Sequence, residues 1–261
     1  IEVPGPHGPI RACIWQLKVG RIRLLLLDTN LPENSEVIRN ITSRLYASHS
    51  ETRVAQEILL GIGGIKALQA MDLFPRICHM NEGHCSFAGL ERISTLMDRY
   101  ALDFNSAYQI CKRTGVFTTH TPVAAGHDEF EKRLVLPYII PYAEKFALST
   151  DKVLTWGTPH AASADAKFSM FVLGVRFSGY LNGVSRLHGQ VARNMWQALW
   201  PGRYVEETPI SHITNGVHIS SYLSRHKNSL FERYLSSDWA NRLSNKNLIE
   251  RIDNIEDADL W

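Results

Sequence analysis

The sequence predicts an α/β fold with a parallel sheet and a β-hairpin near the N-terminal end. Two strand-like runs lie close together near the start of the chain, on either side of a short turn. Further along, short apolar strands alternate with stretches in which apolar residues recur at helical spacing. Alternating strands and helices are typical of a parallel sheet covered by its crossover helices.

The hairpin is predicted from residues 11–17 and 21–27, which are rich in strand-forming residues and are separated by Lys18-Val19-Gly20. The second run contains four consecutive leucines at positions 24–27. A continuously apolar strand is typical of a sheet that is covered on both faces, so we expect these leucines to be buried.

A helix is predicted over residues 53–71, where apolar residues recur every three or four positions. Gly61, Gly63 and Gly64 lie inside this helix, and each costs about 1 kcal/mol relative to alanine. A phosphate-binding loop is an alternative explanation, but such loops follow a strand and open a helix. We therefore expect the glycines to allow close packing of a neighbouring element.

Two strands of the parallel sheet are predicted at residues 76–80 and 115–119, with a helix between them. Residues 168–197 return to helical patterning. Residues 225–261 are polar with scattered apolar anchors, a pattern more typical of a connection than of the end of a domain.

Composition indicates a globular protein and argues against several other classes. The chain has 261 residues, of which 44% are hydrophobic and 21% are charged, and its formal charge is +2. This balance gives no strong attraction to nucleic acid or to an anionic membrane. No stretch approaches the roughly 18 apolar residues of a membrane span, and no signal peptide is predicted. Four cysteines without CxxC pairs favour reduced thiols and a cytoplasmic location.

Three polar clusters are candidate binding positions. Residues 81–84 (Asn-Glu-Gly-His) and 119–121 (Thr-His-Thr) follow the two predicted strands, and residues 214–218 (Thr-Asn-Gly-Val-His) lie in a later loop. Ligands bind at the carboxyl ends of the strands in an open parallel sheet. The clusters combine carboxylate, imidazole, amide and hydroxyl groups, which suit the hydroxyl groups of a sugar.

Each cluster also has a local structural explanation. His84 could cap a helix, and Asn215 could hold a left-handed turn before Gly216. A zinc site among the Cys and His residues at positions 78–85 fits no standard ligand spacing. A Cys–His hydrolase is disfavoured because no nucleophile signature accompanies any cysteine. Residue chemistry alone thus predicts a polar, sugar-compatible cleft and leaves the reaction open.

The three clusters lie in longer stretches, and five such stretches occur in this order: RVAQEILLGIGGIKA at 53–67, HMNEGHCSFAGLERI at 79–93, VFTTHTPVAAGHDEF at 116–130, YLNGVSRLHGQVARNMW at 180–196 and ITNGVH at 213–218. In these stretches the sequence resembles the α-glucan phosphorylases of glycogen, starch and maltodextrin, particularly their shorter bacterial and archaeal branch. One such motif would carry little weight. Five run in the family's order and, together with residues 21–27 and 28–30, extend over nearly the whole chain.

The resemblance implies roles for three residues that would touch the reacting sugar. His120 is similar to the family histidine that contacts the 6-hydroxyl side of the reacting glucose, and it is the candidate catalytic residue. Thr121, beside it, is assigned to the substrate site. Asn215 is similar to the asparagine that hydrogen-bonds the hydroxyl groups of the same sugar.

Three further residues are implied to line the cleft. Glu82 and His84 occupy the positions of an acidic residue and a histidine near the anomeric carbon of the glucose. Leu181 lies where the family packs an apolar side chain close to the sugar. No residue of this chain is implied to bind a metal ion.

The resemblance also implies two Rossmann-like lobes that face each other across a cleft, the glycosyltransferase-B arrangement. In the family the second lobe carries the lysine that binds pyridoxal phosphate and the basic residues that bind substrate phosphate. That lysine and an early N-terminal segment have no counterpart here. We therefore expect residues 1–224 to be part of the N-terminal, substrate-side lobe, and residues 225–261 to lead toward the cofactor-binding lobe.

The implied reaction is phosphorolysis, in which phosphate attacks the terminal α-1,4-linked glucose of a glucan and releases glucose 1-phosphate. The expected partners are a glucan or maltodextrin, phosphate, the second lobe and further copies of the chain. Pyridoxal phosphate is the expected cofactor of the complete enzyme, and this chain alone is expected to be inactive. The rival hypotheses are a glucan-binding module without catalysis and part of a glycogen-synthase-like glycosyltransferase.

Overall fold

The computed structural model describes residues 1–6, 8–123, 126–159 and 166–260. They form two compact units, residues 1–214 and residues 215–261. Among the described residues, no helix is both long enough and apolar enough to cross a membrane.

The strands of the first unit are, in chain order, β1 (Glu2–Val3), β2 (Ile10–Arg11), β3 (Cys13–Val19), β4 (Ile22–Asp28), β5 (Cys78–Asn81), β6 (Gly115–Thr119), β7 (Glu129–Phe130), β8 (Phe168–Ser169), β9 (Tyr180–Gly183) and β10 (Ser211–His212). Four of them form one parallel sheet in the order β10, β9, β6, β5. Phe117 of β6 lies opposite Met80 of β5 and Leu181 of β9. This sheet confirms the predicted fold class, and its carboxyl ends meet at one edge.

The helices of the first unit are α1 (Glu36–Arg39), α2 (Ser50–Ile58), α3 (Gly64–Ala70), α4 (Ala88–Tyr100), α5 (Phe104–Arg113), α6 (Lys132–Lys145), α7 (Thr150–Leu154), α8 (Met170–Arg176) and α9 (Arg186–Trp196). Helices and strands share one hydrophobic core, in which Phe87, Phe117, Phe171 and Phe177 are buried. Phe117 and Phe171 meet edge to face, with ring centroids 5.3 Å apart, so the sheet and α8 pack directly against each other.

The predicted hairpin is present and is a separate two-stranded sheet. β3 and β4 pair antiparallel, from Cys13 opposite Asp28 to Val19 opposite Ile22. Gly20 in the turn has a φ of 58°, a conformation that glycine adopts without strain.

The expectation that the four leucines of this hairpin are buried is wrong. Leu24 and Leu26 are 44% and 48% exposed. Leu25 and Leu27 point to the opposite face and are only partly buried. Because the hairpin does not join the parallel sheet, one of its faces has no covering layer among the described residues.

The predicted glycine-containing helix is present as α2 and α3, joined by a π-helical turn at Leu59–Gly63. A Cβ atom on Gly61 would lie 2.7 Å from the backbone nitrogen of Ala88, and one on Gly63 would lie 3.1 Å from Leu27. These two glycines therefore permit close packing, as predicted. The third glycine faces open space.

The helical prediction for residues 168–197 is wrong in part. β8, α8, β9 and α9 alternate in this stretch, and β9 is an inner strand of the parallel sheet. A four-residue buried strand is too short to show a period of its own, so its apolar residues also match the spacing of the neighbouring helices.

The second unit contains α10 (Ile219–Tyr222), α11 (Arg225–Tyr234), α12 (Lys246–Ile249) and α13 (Asp257–Leu260). Its small core consists of Leu235, Trp239 and Leu248, with Phe231 packed against them. The role of residues 225–261 as a connection to another lobe stays a prediction.

Candidate functional site

The side chain of Glu82 joins the carboxyl ends of β5 and β6. Glu82 follows β5 and is buried, and its Oε2 atom accepts three hydrogen bonds from the segment after β6. The donors are the backbone N–H groups of His120 (3.3 Å) and Thr121 (3.1 Å) and the Thr121 hydroxyl (2.6 Å). The structure thus brings together Glu82, His120 and Thr121 through contacts that are not local in sequence.

The backbone of Glu82 is strained. Its φ of 66° and ψ of 177° lie in a region that only glycine visits readily, at a cost of about 1–3 kcal/mol. The Glu82 N–H donates to the Thr118 carbonyl oxygen at 2.8 Å, which fixes this conformation together with the side-chain bonds. The other carboxylate oxygen, Oε1, is buried without a hydrogen-bond partner among the described residues. Strain of this kind is concentrated at ligand and active sites.

The side chain of His120 is exposed. Its backbone is bonded to Glu82, whereas its ring makes no hydrogen bond or ion pair within the described part of the chain. A fixed backbone with an available imidazole is suited to contacting a ligand.

His84 lies in a second polar cluster with Arg53, Glu57 and Asp128. Its Nδ1 atom is 3.0 Å from Asp128 Oδ2 and 2.8 Å from Arg53 Nη2. Arg53 Nη2 also donates to Asp128 Oδ2 at 2.7 Å, and its Nε lies 3.1 Å from Glu57 Oε1. The Glu57 contact is close enough for an ion pair but lacks hydrogen-bond geometry, so both oxygens of this buried carboxyl have no hydrogen bond.

Burial and the neighbouring charges shift the pKa values of Glu57, His84 and Asp128 in this cluster. Burial raises the pKa of Glu57 to about 7. The hydrogen bond to Asp128, and then the nearby Glu57 carboxyl, whose Oε1 lies 3.7 Å from Nδ1, raise the pKa of His84 to about 9. Burial opposes ionisation of Asp128, but the bonds from His84 and Arg53 outweigh it and hold the pKa of that carboxyl well below its usual value. The raised pKa favours the imidazolium form of His84, in which Nδ1 donates to Asp128 and the 2.8 Å approach of Arg53 Nη2 to Nδ1 is a contact between two donors, not a hydrogen bond.

Glu57, His84 and Asp128 also have the residue types of a metal site, with ligand atoms within 4.8 Å of one another. The guanidinium of Arg53 lies in contact with all three. A metal ion would have to approach this fixed positive charge, which Coulomb repulsion opposes. The arrangement is that of an ion-pair network around Arg53.

A polar cavity of about 450 Å³ opens beside His84. Arg53 and Asp128 line it together with His84, and Tyr46 lies over them, with the Arg53 Cζ atom 4.9 Å from its ring centroid. The hydroxyl, carboxylate and guanidinium groups of this lining are suited to a ligand rich in hydroxyl groups.

Leu181 lies within β9 and does not follow the strand as Glu82 and His120 follow theirs, so its predicted place beside the sugar stays a prediction. Leu181 pairs with Phe117 in the middle of the sheet, and it lines a cavity with Ser178 and Gly179, which precede β9. The apolar residue that follows β9 at the carboxyl edge is Val184.

Asn215 is the first residue of the second unit and is exposed. Its predicted place beside His120 therefore stays a prediction.

Sequence reasoning missed Arg53, Glu57 and Asp128. All three lie in or next to the motif stretches, where Arg53 and Glu57 are four residues apart on α2 and Asp128 follows the His120 loop. Their separation in sequence gave no sign that they meet at His84. Opposite charges four residues apart, next to the apolar Val54 and Ile58 of the same helix, were the signal that could have identified Arg53 and Glu57.

A parallel α/β sheet with polar side chains gathered at its carboxyl edge defines a ligand-binding α/β domain. The sequence profile of the Carbohydrate phosphorylase family matches residues 65–259. The chain belongs to this family, which confirms the resemblance.

Several relatives match almost the whole chain. The maltodextrin phosphorylase of Thermococcus litoralis is 38% identical over 100% of this chain and 30% of its own length. A glycogen phosphorylase of Mycobacterium tuberculosis is 38% identical over 98% of the chain and 30% of its own length. A glycogen phosphorylase of Aquifex aeolicus is 31% identical over 95% and 35%. The chain thus spans about a third of the length of these relatives.

Proposed function

We propose that this chain supplies the sugar-binding side of an α-1,4-glucan phosphorylase cleft and is inactive by itself. In the proposed reaction, phosphate attacks the terminal glucose of a glucan and releases glucose 1-phosphate. The single observation that carries the proposal is the Glu82 carboxylate, which holds the His120 and Thr121 segment at the carboxyl edge and leaves the His120 ring available.

The proposed contribution of these residues is orientation of the sugar. His120 contacts the terminal glucose, while Glu82 acts through His120 and Thr121 by fixing their backbone. The Thr121 hydroxyl donates to Glu82, so its oxygen remains an acceptor for a sugar hydroxyl. Asn215 is proposed to bond the same sugar. Holding the anomeric carbon toward phosphate lowers the entropic part of the barrier.

His84 is proposed to line the same cleft from the neighbouring strand. Its Nδ1 atom is engaged by Asp128, so Nε2 is the donor that remains for a ligand. An imidazolium in this position favours an acceptor with partial negative charge, such as a sugar oxygen or a phosphate oxygen.

Pyridoxal phosphate is the cofactor that the family implies, and the described residues do not form a site for it. A Schiff-base lysine is held in a pocket, whereas every lysine among the described residues is at least partly exposed and none lines the cavity beside His84. We therefore propose that the cofactor of the complete enzyme is held elsewhere and that this chain binds and orients the sugar.

Sugar binding is tested by saturation-transfer NMR with maltoheptaose and the 261-residue chain. We expect saturable binding that His120→Ala weakens at least about fivefold, because a direct contact worth about 1 kcal/mol is lost. The matched control is His226→Ala, an exposed histidine in α11, which should bind like the unchanged chain. Binding that is absent, or that His120→Ala leaves unchanged, would contradict the cleft assignment.

Inactivity is tested separately by incubating the chain with maltodextrin, phosphate and pyridoxal phosphate and assaying glucose 1-phosphate. We expect none. Release of glucose 1-phosphate, or a Schiff-base absorbance band that disappears when one lysine is substituted, would contradict this part of the proposal. Binding of maltoheptaose that is equally strong in the isolated chain and in a complete relative would instead favour the glucan-binding module. The family match disfavours the glycogen-synthase-like alternative.

A further inference from the structure

A second cavity lies at the opposite end of β5 and β6 from the polar edge. Its volume is about 550 Å³, and it is bounded by α3, α4, the segment before β5 and the end of α5. Arg76 and Thr114, which line it, precede β5 and β6. Because Glu82 and His120 follow the same strands, this cavity is separate from the candidate sugar site.

Arginine is the only charged residue type that lines this cavity within the described part of the chain. Arg76, Arg92 and Arg99 are present without any aspartate or glutamate, although the whole chain has 28 basic and 26 acidic residues. Arg92 donates to the Cys111 carbonyl oxygen (3.2 Å) and the Thr114 hydroxyl (2.9 Å), both of which are neutral. Like charges that no carboxylate compensates favour the binding of an anion.

The available donors are those of Arg76 and Arg99. Arg76 is exposed and makes no hydrogen bond or ion pair with any described residue. Arg99 lies on the face of Phe74, with its Cζ atom 3.5 Å from the ring centroid, and has no carboxylate partner among the described residues. Stacking leaves the in-plane N–H groups of a guanidinium free to bond an anion.

The rest of the cavity is mostly apolar. Leu68 of α3, Leu96 of α4 and Ile110 of α5 form its walls, and Phe74 and Tyr100 stand at its rim, where both rings are partly exposed. Pockets for small molecules typically have this character, with volumes of about 300–1,000 Å³ and a few placed polar groups. The aromatic rim and the stacked guanidinium are suited to a flat ligand.

We propose that this cavity binds a small organic anion with a flat apolar body and a phosphate or sulfonate group. The apolar walls cover the body of the ligand, and Arg76 and Arg99 bond the anionic group. Arg92 contributes charge while its hydrogen bonds hold the end of α5. The proposal does not depend on the sugar site or on the proposed reaction.

The test is isothermal titration of the 261-residue chain with 1-naphthyl phosphate. We expect saturable binding of one ligand per chain. The double variant Arg76→Gln, Arg99→Gln should raise the Kd at least about tenfold, because both charge-assisted bonds are lost. The matched control is Arg113→Gln, an exposed arginine of α5 outside the cavity, which should leave the Kd unchanged.

Two further ligands distinguish recognition of the anionic group from non-specific binding of the apolar ring. Inorganic phosphate and neutral 1-naphthol should each bind much more weakly than 1-naphthyl phosphate. Equal binding of 1-naphthol, no saturable binding of 1-naphthyl phosphate at millimolar concentration, or an unchanged Kd in the double variant would overturn the proposal. Should the double variant fail to fold, Arg76→Gln alone decides the question, since it removes no hydrogen bond or ion pair between described residues.

The arginines could instead serve a contact between copies of the chain. In that case the double variant would weaken self-association in sedimentation velocity, and 1-naphthyl phosphate would not compete with dimer formation. That result would also overturn the proposal of a small-ligand site.

Discussion

The carboxyl edge of the parallel sheet and the β3–β4 hairpin differ in how far other parts of the chain bond to them or cover them. At the edge, the buried Glu82 carboxylate is bonded to a segment 38 and 39 residues away. On the hairpin, the face with Trp15, Leu17 and Leu24 is about half exposed, with values of 62%, 53% and 44%. At the edge a buried carboxylate oxygen is thus bonded three times, whereas on the hairpin an apolar face is uncovered.

This difference indicates which regions the chain stabilises by its own contacts and which would be stabilised by a partner. Buried polar groups are costly unless they are paired, so the paired edge is a rigid, specified structure. An apolar face of this kind marks an interaction surface, because water contact with it is unfavourable. The hairpin is therefore expected to gain more stability from a covering partner than the edge does.

The largest expected effect comes from breaking the edge. Glu82→Ala should lower the free energy of unfolding by about 3 kcal/mol, because it removes three hydrogen bonds and leaves the N–H groups of His120 and Thr121 without their acceptor. Urea unfolding followed by near-UV circular dichroism measures the change. Glu144→Ala, at an exposed carboxyl of α6, is the control and should stay within about 0.5 kcal/mol. Equal stability of the two variants would show that the edge is not held by Glu82.

A smaller effect is expected from the proton balance of the His84 cluster. The pKa of Glu57 rises from 4.5 to about 7 and that of His84 from 6.5 to about 9, so the folded chain holds protons that the unfolded chain has lost. Stability from Glu57 therefore falls as pH rises between 4.5 and 7, and stability from His84 falls between 6.5 and 9. A rise of about 2.5 in pKa sets an upper limit of about 3 kcal/mol on each loss.

Variants separate these two contributions. Relative to the unchanged chain, Glu57→Gln should remove the slope of unfolding free energy between pH 5 and 7, and His84→Gln the slope above pH 7. Burial lowers the pKa of His127, so its contribution to stability falls as pH decreases below about 6.5, opposite to that of Glu57. The difference between a variant and the unchanged chain therefore isolates one residue better than the pH profile of a single protein does. His226→Ala is the control. Parallel profiles for all variants would mean that the cluster does not bind these protons.

The smallest effect on stability is expected at the hairpin, together with a clear effect on association. Leu17 and Leu24 are cross-strand partners on the uncovered face. The double variant Leu17→Thr, Leu24→Thr should shift the chain from oligomer to monomer in sedimentation velocity, while unfolding free energy changes by no more than about 0.5 kcal/mol. Val37→Thr, an exposed apolar residue of α1, should change neither. A chain that is already monomeric at high concentration would contradict this expectation.

Local pattern and chemistry predicted much of the fold. Residues 115–119 form β6 with the predicted bounds, because a short apolar run between turn residues is a local signal. Gly61 and Gly63 were correctly predicted to allow close packing, since glycine inside a helix needs such a reason. β9 was missed because a short strand between helices has no period of its own.

The sequence predicted the part of the candidate site that lies at the adjacent carboxyl ends of neighbouring parallel strands, and not the rest of it. Glu82, His120 and Thr121 meet because the carboxyl ends of β5 and β6 are adjacent, which strand order in sequence already indicates. The position of Leu181 in a motif did not show how far along β9 it lies, since only the register of the strand decides that.

By itself the sequence determined the order and type of the main elements, the residues that follow β5 and β6, and the family. These depend on periodicity, turn residues and motif order, all of which are properties of neighbouring residues in the sequence. Only the tertiary structure decided that Arg53, Glu57 and Asp128 surround His84, and that a face of the leucine-rich hairpin is exposed. The physical reason is that burial and charge pairing depend on which distant segments pack together, and local sequence does not specify that packing.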